Sequence, residues 1–252
     1  MLLELPIELR ELILSSLTRK EYKQSVPCKG LLLCKCYLSL EEFSNLKEIP
    51  KIKLSHEELY KLFIESCKRN NVWLIDRLIT KFGVDPSYDE SYAVIIASSF
   101  GHIKLMERLL QDPRVDPSCN DNYAIIKAST LGYLEIVERL LQDPRVDPST
   151  NNNEAINRAS SNGHLKVVER LLLDPRVDPS DRDNDAIIGA SMKGRLEVVD
   201  RLLQDSRVNP ADNCNVAIRC ASMNDHTKVV ERLLKDPRVD PSVLNNAVVI
   251  QN

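Results

Sequence analysis

The stretch Asn122–Asp147, NYAIIKASTLGYLEIVERLLQDPRVD, decides the fold because most of it recurs along the chain. Its opening alanine returns every 31 residues, at Ala93, Ala124, Ala155, Ala186 and Ala217. The proline that follows the stretch keeps the same spacing, at Pro117, Pro148, Pro179, Pro210 and Pro241. A fixed period of this size is typical of a solenoid, in which one supersecondary unit stacks on copies of itself.

Each copy of the unit predicts two helices. Ala124, Ile125 and Ala128 follow helical spacing, and Asn122 stands where an N-cap side chain would accept the free N–H groups of the first turn. Gly132 then interrupts the pattern, and a second amphipathic helix follows it. Two Asp-Pro pairs end that helix, because proline excludes helical geometry from the residue before it. We therefore expect helix, tight turn, helix and extended loop. Alanines should let the first helices approach closely, and leucines of the second helix should fill the space between units.

These residues also carry a family resemblance. The segment from Ala128-Ser129 to Leu141 resembles the second half of an ankyrin repeat, A-A-x-x-G-H-x-x-x-V-x-x-L-L. Near copies begin at Ala97, Ala159, Ala190 and Ala221. The resemblance implies an all-α, ankyrin-type solenoid of stacked helix-turn-helix repeats with a helical N-terminal cap. It also agrees with the ankyrin arrays encoded by large DNA viruses of amoebae, which share the D-P-R-V-D-P-S variant.

The chain departs from the family in its loops. Ankyrin repeats usually carry T-P-L-H where residues 123–126 are Tyr-Ala-Ile-Ile, and the period of 31 is two residues shorter than the family's usual length. The two missing residues of each period fall in the loop after Asp-Pro-Ser. We therefore expect short or irregular hairpin loops.

The repeat array is predicted to occupy residues 55–252, behind a separate helical cap at residues 1–54. Ser55 and Glu58 form a capping box that opens a degenerate repeat, in which Asn70 replaces the turn glycine. Counting this repeat gives about six helix pairs. Residues 246–250 restart the unit, and we expect a truncated helix there that acts as a C-terminal lid or a frayed end.

A second resemblance concerns residues 1–18, MLLELPIELRELILSSLT. They resemble the opening of an F-box, L-P-x-E-L-x-x-x-I-x-x-x-L, a helical module that binds the Skp-type adaptor of a cullin ubiquitin ligase. The matching residues are Leu5, Pro6, Leu9, Ile13 and Leu17. The tryptophan expected downstream in that module is absent. The alternative is a plain amphipathic helix that covers the apolar flank of the first repeat.

Composition and charge exclude several classes of function. The net charge is −3, and neither the N-terminal segment nor the array is basic enough for a nucleic-acid surface. No apolar run is long enough to span a membrane. The seven cysteines have no paired spacing, and Cys28, Cys34 and Cys36 lack the second ligand pair that a zinc site needs. We expect free thiols and a cytoplasmic location, in the host cytoplasm if the chain is viral.

Two series of repeated residues suggest chemistry at first sight. His102, His164 and His226 are two periods apart, which corresponds to about 20 Å at ordinary helix packing distances, far beyond metal–nitrogen bonds of ~2 Å. One Asp and one Arg recur in each loop and do not form a pair of carboxylates for acid–base catalysis. We expect both series to stabilise turns and loops. Because no catalytic motif is found, we expect no enzyme activity, no cofactor and no metal site.

Partner choice in a repeat scaffold should depend on exposed positions at which the copies differ. In ankyrin arrays the two residues before the turn glycine face the concave groove. All twelve aromatic residues lie at or before Tyr133, and aromatic anchors dominate interface energies. We predict a partner-binding surface on the early repeats, centred on Tyr92, Phe100, Tyr123 and Leu131. The other predicted residues are Ser99, Thr130, Asn162, Met192, Lys193, Met223 and Asn224. The alternative is that Phe100 and the tyrosines merely pack on neighbouring loops.

The function that follows is a monomeric, non-enzymatic scaffold that binds another protein through its concave face. The alternative is a substrate receptor, in which residues 1–54 bind the ubiquitin-ligase adaptor and the array holds a target. The fold does not identify the partner, since similar folds serve unrelated targets.

Overall fold

The computed structural model describes residues 55–244, and this part of the chain contains twelve complete α-helices, further helical residues at 242–244 and no β-strand. The helices are α1 (His56–Lys68), α2 (Val72–Phe82), α3 (Tyr88–Phe100), α4 (Ile103–Leu109), α5 (Cys119–Leu131), α6 (Leu134–Leu141), α7 (Thr150–Asn162), α8 (Leu165–Leu172), α9 (Asp181–Met192), α10 (Leu196–Leu202), α11 (Asp212–Met223) and α12 (Thr227–Leu233). None of them is long and apolar enough to cross a membrane. The predicted N-terminal cap, the candidate adaptor-binding residues and the predicted C-terminal lid lie outside the described residues.

The described residues belong to two compact units, whose boundary in the sequence lies between Pro86 and Ser87. In the first unit, α1 and α2 pack against each other, with Phe63 among the buried residues. The predicted capping box at the start of α1 is confirmed. The Glu58 N–H donates to Ser55 Oγ at 3.2 Å, and the Ser55 N–H donates to Glu58 Oε2 at 2.9 Å. Asn70 adopts the left-handed conformation (φ 55°) where the next four repeats have glycine and the last has Asp225.

The second unit contains five helix pairs, from α3–α4 to α11–α12. We call α3, α5, α7, α9 and α11 the first helices and their partners the second helices. Each first helix packs on the first helices of the neighbouring pairs, and second helices likewise contact second helices. Ala124 and Ala128 are fully buried on the first helix α5, and Leu140 is fully buried on α6. The predicted all-α stack of helix-turn-helix repeats is confirmed.

Within its printed bounds, each first helix starts with a left-handed turn. Three consecutive residues adopt positive φ, for example Asn151 (53°), Asn152 (59°) and Asn153 (58°), before the right-handed helix begins. Asn and Asp occupy most of these positions because their short polar side chains tolerate the left-handed region better than other non-glycine residues do. The short, irregular loops expected from the sequence are therefore made without any strand between residues 55 and 244.

The N-cap role predicted for Asn122 is wrong. Asn122 stands immediately before the right-handed part of α5, but it is the third residue of the left-handed turn (φ 58°). Its Oδ1 accepts the N–H of Asp147, 25 residues away, at 2.8 Å. A side chain that satisfies the backbone of the next repeat is not available to the first turn of its own helix.

Candidate partner-binding surface

The predicted partner-binding residues lie on the solvent-exposed side of the first helices. Tyr123, Thr130 and Leu131 follow one another at i, i+7 and i+8 along α5, which places them on one face of that helix. The four large side chains at the centre of the prediction are well exposed: Tyr92 (41%), Phe100 (51%), Tyr123 (40%) and Leu131 (42%). Because the first helices stack side by side, these faces adjoin each other and form one surface.

The remaining predicted residues lie at equivalent positions of the same helices. Met192 and Met223 are exposed by 39% and 74%, at the ends of α9 and α11. Asn162, Lys193 and Asn224 are exposed, whereas Ser99 and Thr130 are half-buried. Asn162 is already engaged, because its Nδ2 donates to the carbonyl oxygen of Thr130 at 3.1 Å. The prediction therefore includes strongly exposed side chains together with others that serve the array itself.

Sequence reasoning missed one series of positions on this surface, one turn after Tyr123 and its equivalents. In four of the copies these positions hold Lys127, Arg158, Gly189 and Cys220, whereas the equivalent Ile96 is buried and is not part of the surface. The Lys127 ammonium lies 5.6 Å from the centroid of the Tyr123 ring, a cation–π contact. Arg158 Nε donates to Glu154 Oε1 at 2.6 Å. The signal was available, since residues four apart in a helix share a face.

The alternative role for the aromatic residues, packing on neighbouring loops, is correct for Tyr133. A Cβ added to Gly101 would lie 2.8 Å from Tyr133 Cε1, so this ring lies directly against the turn of the preceding repeat. Phe100 stacks on His102, with ring centroids 5.6 Å apart, yet about half of its surface stays exposed. Packing within the array thus leaves Phe100, Tyr92 and Tyr123 accessible.

The repeated histidines contact the turn of the preceding repeat. His164 Nε2 lies 3.0 Å from the carbonyl oxygen of Thr130, and its ring packs against Gly132. His226 repeats this arrangement with the carbonyl oxygen of Met192 and with Gly194. These contacts agree with the structural role expected for the histidines. Within residues 55–244 no three His, Cys, Asp or Glu side chains are grouped so that they could hold a metal ion.

The repeated Asp and Arg side chains form a fork within each loop. Arg176 donates from Nε and Nη2 to the two carboxylate oxygens of Asp174, at 2.9 and 2.8 Å. These bonds hold the pKa of Asp174 below its usual range and raise the pKa of Arg176. The same geometry recurs in the loops of Asp112–Arg114, Asp143–Arg145, Asp205–Arg207 and Asp236–Arg238. The loop-fixing role expected from the sequence is confirmed.

The same arginines also join neighbouring repeats, which the sequence did not indicate. Arg176 Nη1 donates to the carbonyl oxygen of Val146, 30 residues earlier, at 2.8 Å. Arg145, Arg207 and Arg238 make the corresponding bond to Val115, Val177 and Val208. Each guanidinium therefore orients its own loop and satisfies a backbone carbonyl of the preceding one.

A third series of side chains links the repeats in the opposite direction. Asn153 Oδ1 accepts the N–H of Asp178 at 2.8 Å, and its Nδ2 donates to Asp181 Oδ2 at 2.9 Å. The residues that accept in the same way are Ser91, Asn122, Asn184 and Asn215. Side chains of this series and of the previous one fix the loops rather than the exposed surface, which leaves that surface free to vary.

The four cysteines within residues 55–244 are free thiols: Cys67, Cys119, Cys214 and Cys220. Burial raises the pKa of the Cys67 thiol. Burial, with smaller contributions from the negative charges of Asp116 and Glu90, raises the pKa of Cys119 to about 11. Since the thiolate is the nucleophile, these raised pKa values disfavour reaction of Cys67 and Cys119 at neutral pH.

Comparison with known proteins agrees with this geometry. A family model described as Ankyrin repeats (3 copies) matches residues 62–154 and 156–245. The matches begin within α1 and so include the degenerate first repeat. No curated protein matches the chain.

Proposed function

Because the chain belongs to the ankyrin-repeat family, we propose that it is a protein-interaction scaffold that binds a partner protein through the exposed side of its first helices. The observation that carries the proposal is the cluster of Tyr92, Phe100, Tyr123 and Leu131, each at least 40% exposed. Large exposed side chains gathered on one surface mark interaction sites, and aromatic residues supply most of the binding energy there.

The geometry of the array supports this side as the binding face. The second helices present charged side chains to solvent, such as Glu135 and Glu138 on α6. The first helices present residues that differ from copy to copy. The loop side chains, in contrast, are engaged in hydrogen bonds to neighbouring repeats that recur at fixed offsets. In ankyrin arrays the corresponding positions face the concave groove. The proposal involves binding alone and assigns no catalytic step, cofactor or metal.

A sharper version of the proposal makes the chain a substrate receptor. Leu5, Pro6, Leu9, Ile13 and Leu17 match the opening of an F-box, and in this version they bind a Skp-type adaptor while the array holds the target. The version implies a monomeric receptor in the cytoplasm, or in the host cytoplasm for a viral chain. The free thiols of the array are compatible with that reducing compartment.

The experiment is an affinity pull-down from eukaryotic cell lysate with the tagged full chain, followed by mass spectrometry. The double variant Y92A/F100A should lose the captured partner, while L173A should retain it. Leu173 is a matched control because it is 73% exposed but lies at the end of α8. Capture that is unchanged by Y92A/F100A would overturn the proposed surface.

The same experiment tests the substrate-receptor version separately. The full-chain variant L9A/I13A should lose the adaptor and the cullin while keeping any target held by the array. If the unsubstituted chain captures neither adaptor nor cullin, the substrate-receptor version is wrong, and the scaffold proposal is unaffected.

A further inference from the structure

The partner-binding surface is apolar at both ends and polar in the middle. One end is the aromatic cluster, Tyr92, Phe100, Tyr123 and Leu131, on α3 and α5. The other is the methionine cluster, Met192 and Met223, on α9 and α11. Between them α7 presents Glu154, Arg158 and Asn162. Two exposed apolar clusters on one surface, separated by a polar helix, suggest two anchor points for a single ligand.

The middle of the surface already satisfies its own charges. Glu154 accepts a hydrogen bond from Arg158 at 2.6 Å, and Arg182 Nη1 lies 3.9 Å from its other carboxylate oxygen. Asn162 donates to the carbonyl oxygen of Thr130. These groups need no partner, so the middle offers little binding energy and tolerates a solvated ligand backbone.

This inference rests on the proposed function. We infer that the surface binds an extended polypeptide segment that carries one apolar side chain for each cluster. The segment also carries a basic residue beside the side chain that enters the aromatic cluster. The clusters supply the anchor pockets, and the polar helix α7 supports the chain between them.

The distance between the clusters sets the length of the segment. Packed helices lie about 8–10 Å apart. The nearest members, Leu131 and Met192, are two repeats apart, and the cluster centres are three repeats apart. The span is therefore about 16–30 Å, which an extended chain covers in roughly five to nine residues at 3.3–3.6 Å each. A helix would need about 11–20 residues for the same span at 1.5 Å each.

Negative charge beside the aromatic cluster is the reason why the ligand should carry a basic residue. Asp89, Glu90 and Asp121 are exposed in the left-handed turns that precede Tyr92 and Tyr123. None of the three forms an ion pair with any residue between 55 and 244. The nearby cation Lys127 already lies over the Tyr123 ring. An arginine or lysine in the ligand would find both uncompensated carboxylates and exposed aromatic faces at this end.

The test selects peptides without assuming a partner. A phage-displayed library of random 12-residue peptides is panned against the immobilised full chain. Enriched peptides should carry two apolar residues five to nine positions apart, with Arg or Lys within two positions of one of them. A synthetic peptide of the enriched sequence is then titrated by fluorescence anisotropy.

Variants of the protein and of the peptide then test which residues carry the binding. F100A and M192A should each weaken that peptide at least tenfold, and D89N/E90Q should weaken it and reduce the salt dependence of binding. L173A should bind it unchanged. Replacing the basic residue of the peptide should weaken binding to the unsubstituted chain and leave binding to D89N/E90Q nearly unaffected.

Several results would overturn the inference. Enrichment of acidic sequences, of sequences with one apolar anchor, or of helix-forming sequences with anchors about eleven positions apart would each do so. A library that yields no enriched peptide would also overturn it. If peptides fail while proteins captured from lysate still depend on Tyr92 and Phe100, the scaffold proposal stands and the extended-segment inference falls. If capture is also independent of those residues, both fall.

Discussion

Asn153 holds the backbone of Asp178 in the next repeat, its Oδ1 accepting the Asp178 N–H at 2.8 Å while its Nδ2 donates to Asp181. The Asn153 side chain is almost fully buried, at 4% exposure. N153A should lower the free energy of unfolding by about 1–2 kcal/mol, because it leaves the part-buried Asp178 N–H without its acceptor. Urea denaturation of the full chain measures this change.

The chain provides a matched control for this substitution. Ser91 occupies the equivalent position in the first of the five pairs, and its Oγ accepts the N–H of Asp116 at 3.0 Å. N153S keeps an acceptor for the Asp178 N–H and loses the amide hydrogen bond to Asp181, so it should cost clearly less than N153A. Equal losses for the two variants would show that the acceptor contributes nothing.

A buried serine follows the second alanine of the repeat unit in four of the first helices. Replacing such a serine by alanine should increase stability. Ser98, Ser129, Ser160 and Ser191 are fully buried, and their hydroxyl groups contact no hydrogen-bond partner among the described residues. S129A should raise the free energy of unfolding by about 1 kcal/mol, because it removes an unsatisfied buried hydroxyl. Thermal denaturation would measure the gain.

Ser66 is the control for the serine prediction. It is equally buried, but its hydroxyl donates to the carbonyl oxygen of Leu62 at 2.7 Å. S66A should therefore give no gain. Stabilisation of the same size in both variants would mean that helix propensity, and not the unsatisfied hydroxyl, accounts for the effect.

The helices, and the exposure of the large side chains on the candidate surface, were predictable because both depend on local spacing. The recurrence of Ala124, Gly132 and Leu140 at fixed offsets gave the helix pair and its turn. The contacts between repeats were not predictable in the same way. Asn122 is an acceptor before a helix whether it caps that helix or bonds to Asp147, and the local sequence is the same in both cases. The choice depends on three consecutive left-handed residues, which only the assembled stack specifies.

The paired aspartates predict how stability changes with pH. The arginine hydrogen bonds lower the pKa of Asp112, Asp143, Asp174, Asp205 and Asp236 in the folded chain. A carboxyl whose folded pKa is depressed contributes stability that is fully present above its unfolded pKa, about 3.9, and is lost as pH falls through the folded pKa. The urea midpoint should therefore be nearly constant from pH 7 to 5 and fall below about pH 4.

One substitution isolates the contribution of a single fork. D174N should lower stability at pH 7 and reduce the loss between pH 4 and pH 2, because that carboxylate no longer titrates. D183N is the control, since Asp183 is exposed and forms no ion pair within residues 55–244. A D174N curve parallel to that of the unsubstituted chain would contradict the assignment.

Alanine substitutions at two glycines with the same backbone conformation distinguish the cost of backbone strain from the cost of a steric clash. Gly101 and Gly83 both have φ of +68°, but a Cβ at Gly101 would lie 2.8 Å from Tyr133 Cε1, and none of the described residues comes within 4 Å at Gly83. G83A should cost about 1 kcal/mol for the left-handed backbone. G101A should cost about 2–3 kcal/mol, because the rigid ring must also move.

The double variant G101A/Y133A completes the comparison. Removing the ring should recover most of the extra cost, so that the two substitutions are strongly non-additive in thermal denaturation. Additive losses would show that the Tyr133 ring does not oppose a side chain at Gly101.

The bonds between repeats also govern how such a chain can change in length. The asparagine series reaches 25 residues forward, the arginine series 30 back and the histidine series 34 back, and each ends on an equivalent atom in the neighbouring copy. Removing one whole 31-residue copy brings new neighbours together with every donor again facing an acceptor. Removing a number of residues that is not a multiple of 31 would leave buried groups unsatisfied on both sides of the junction. The copy is therefore the smallest segment that recombination can add or delete without breaking the stack.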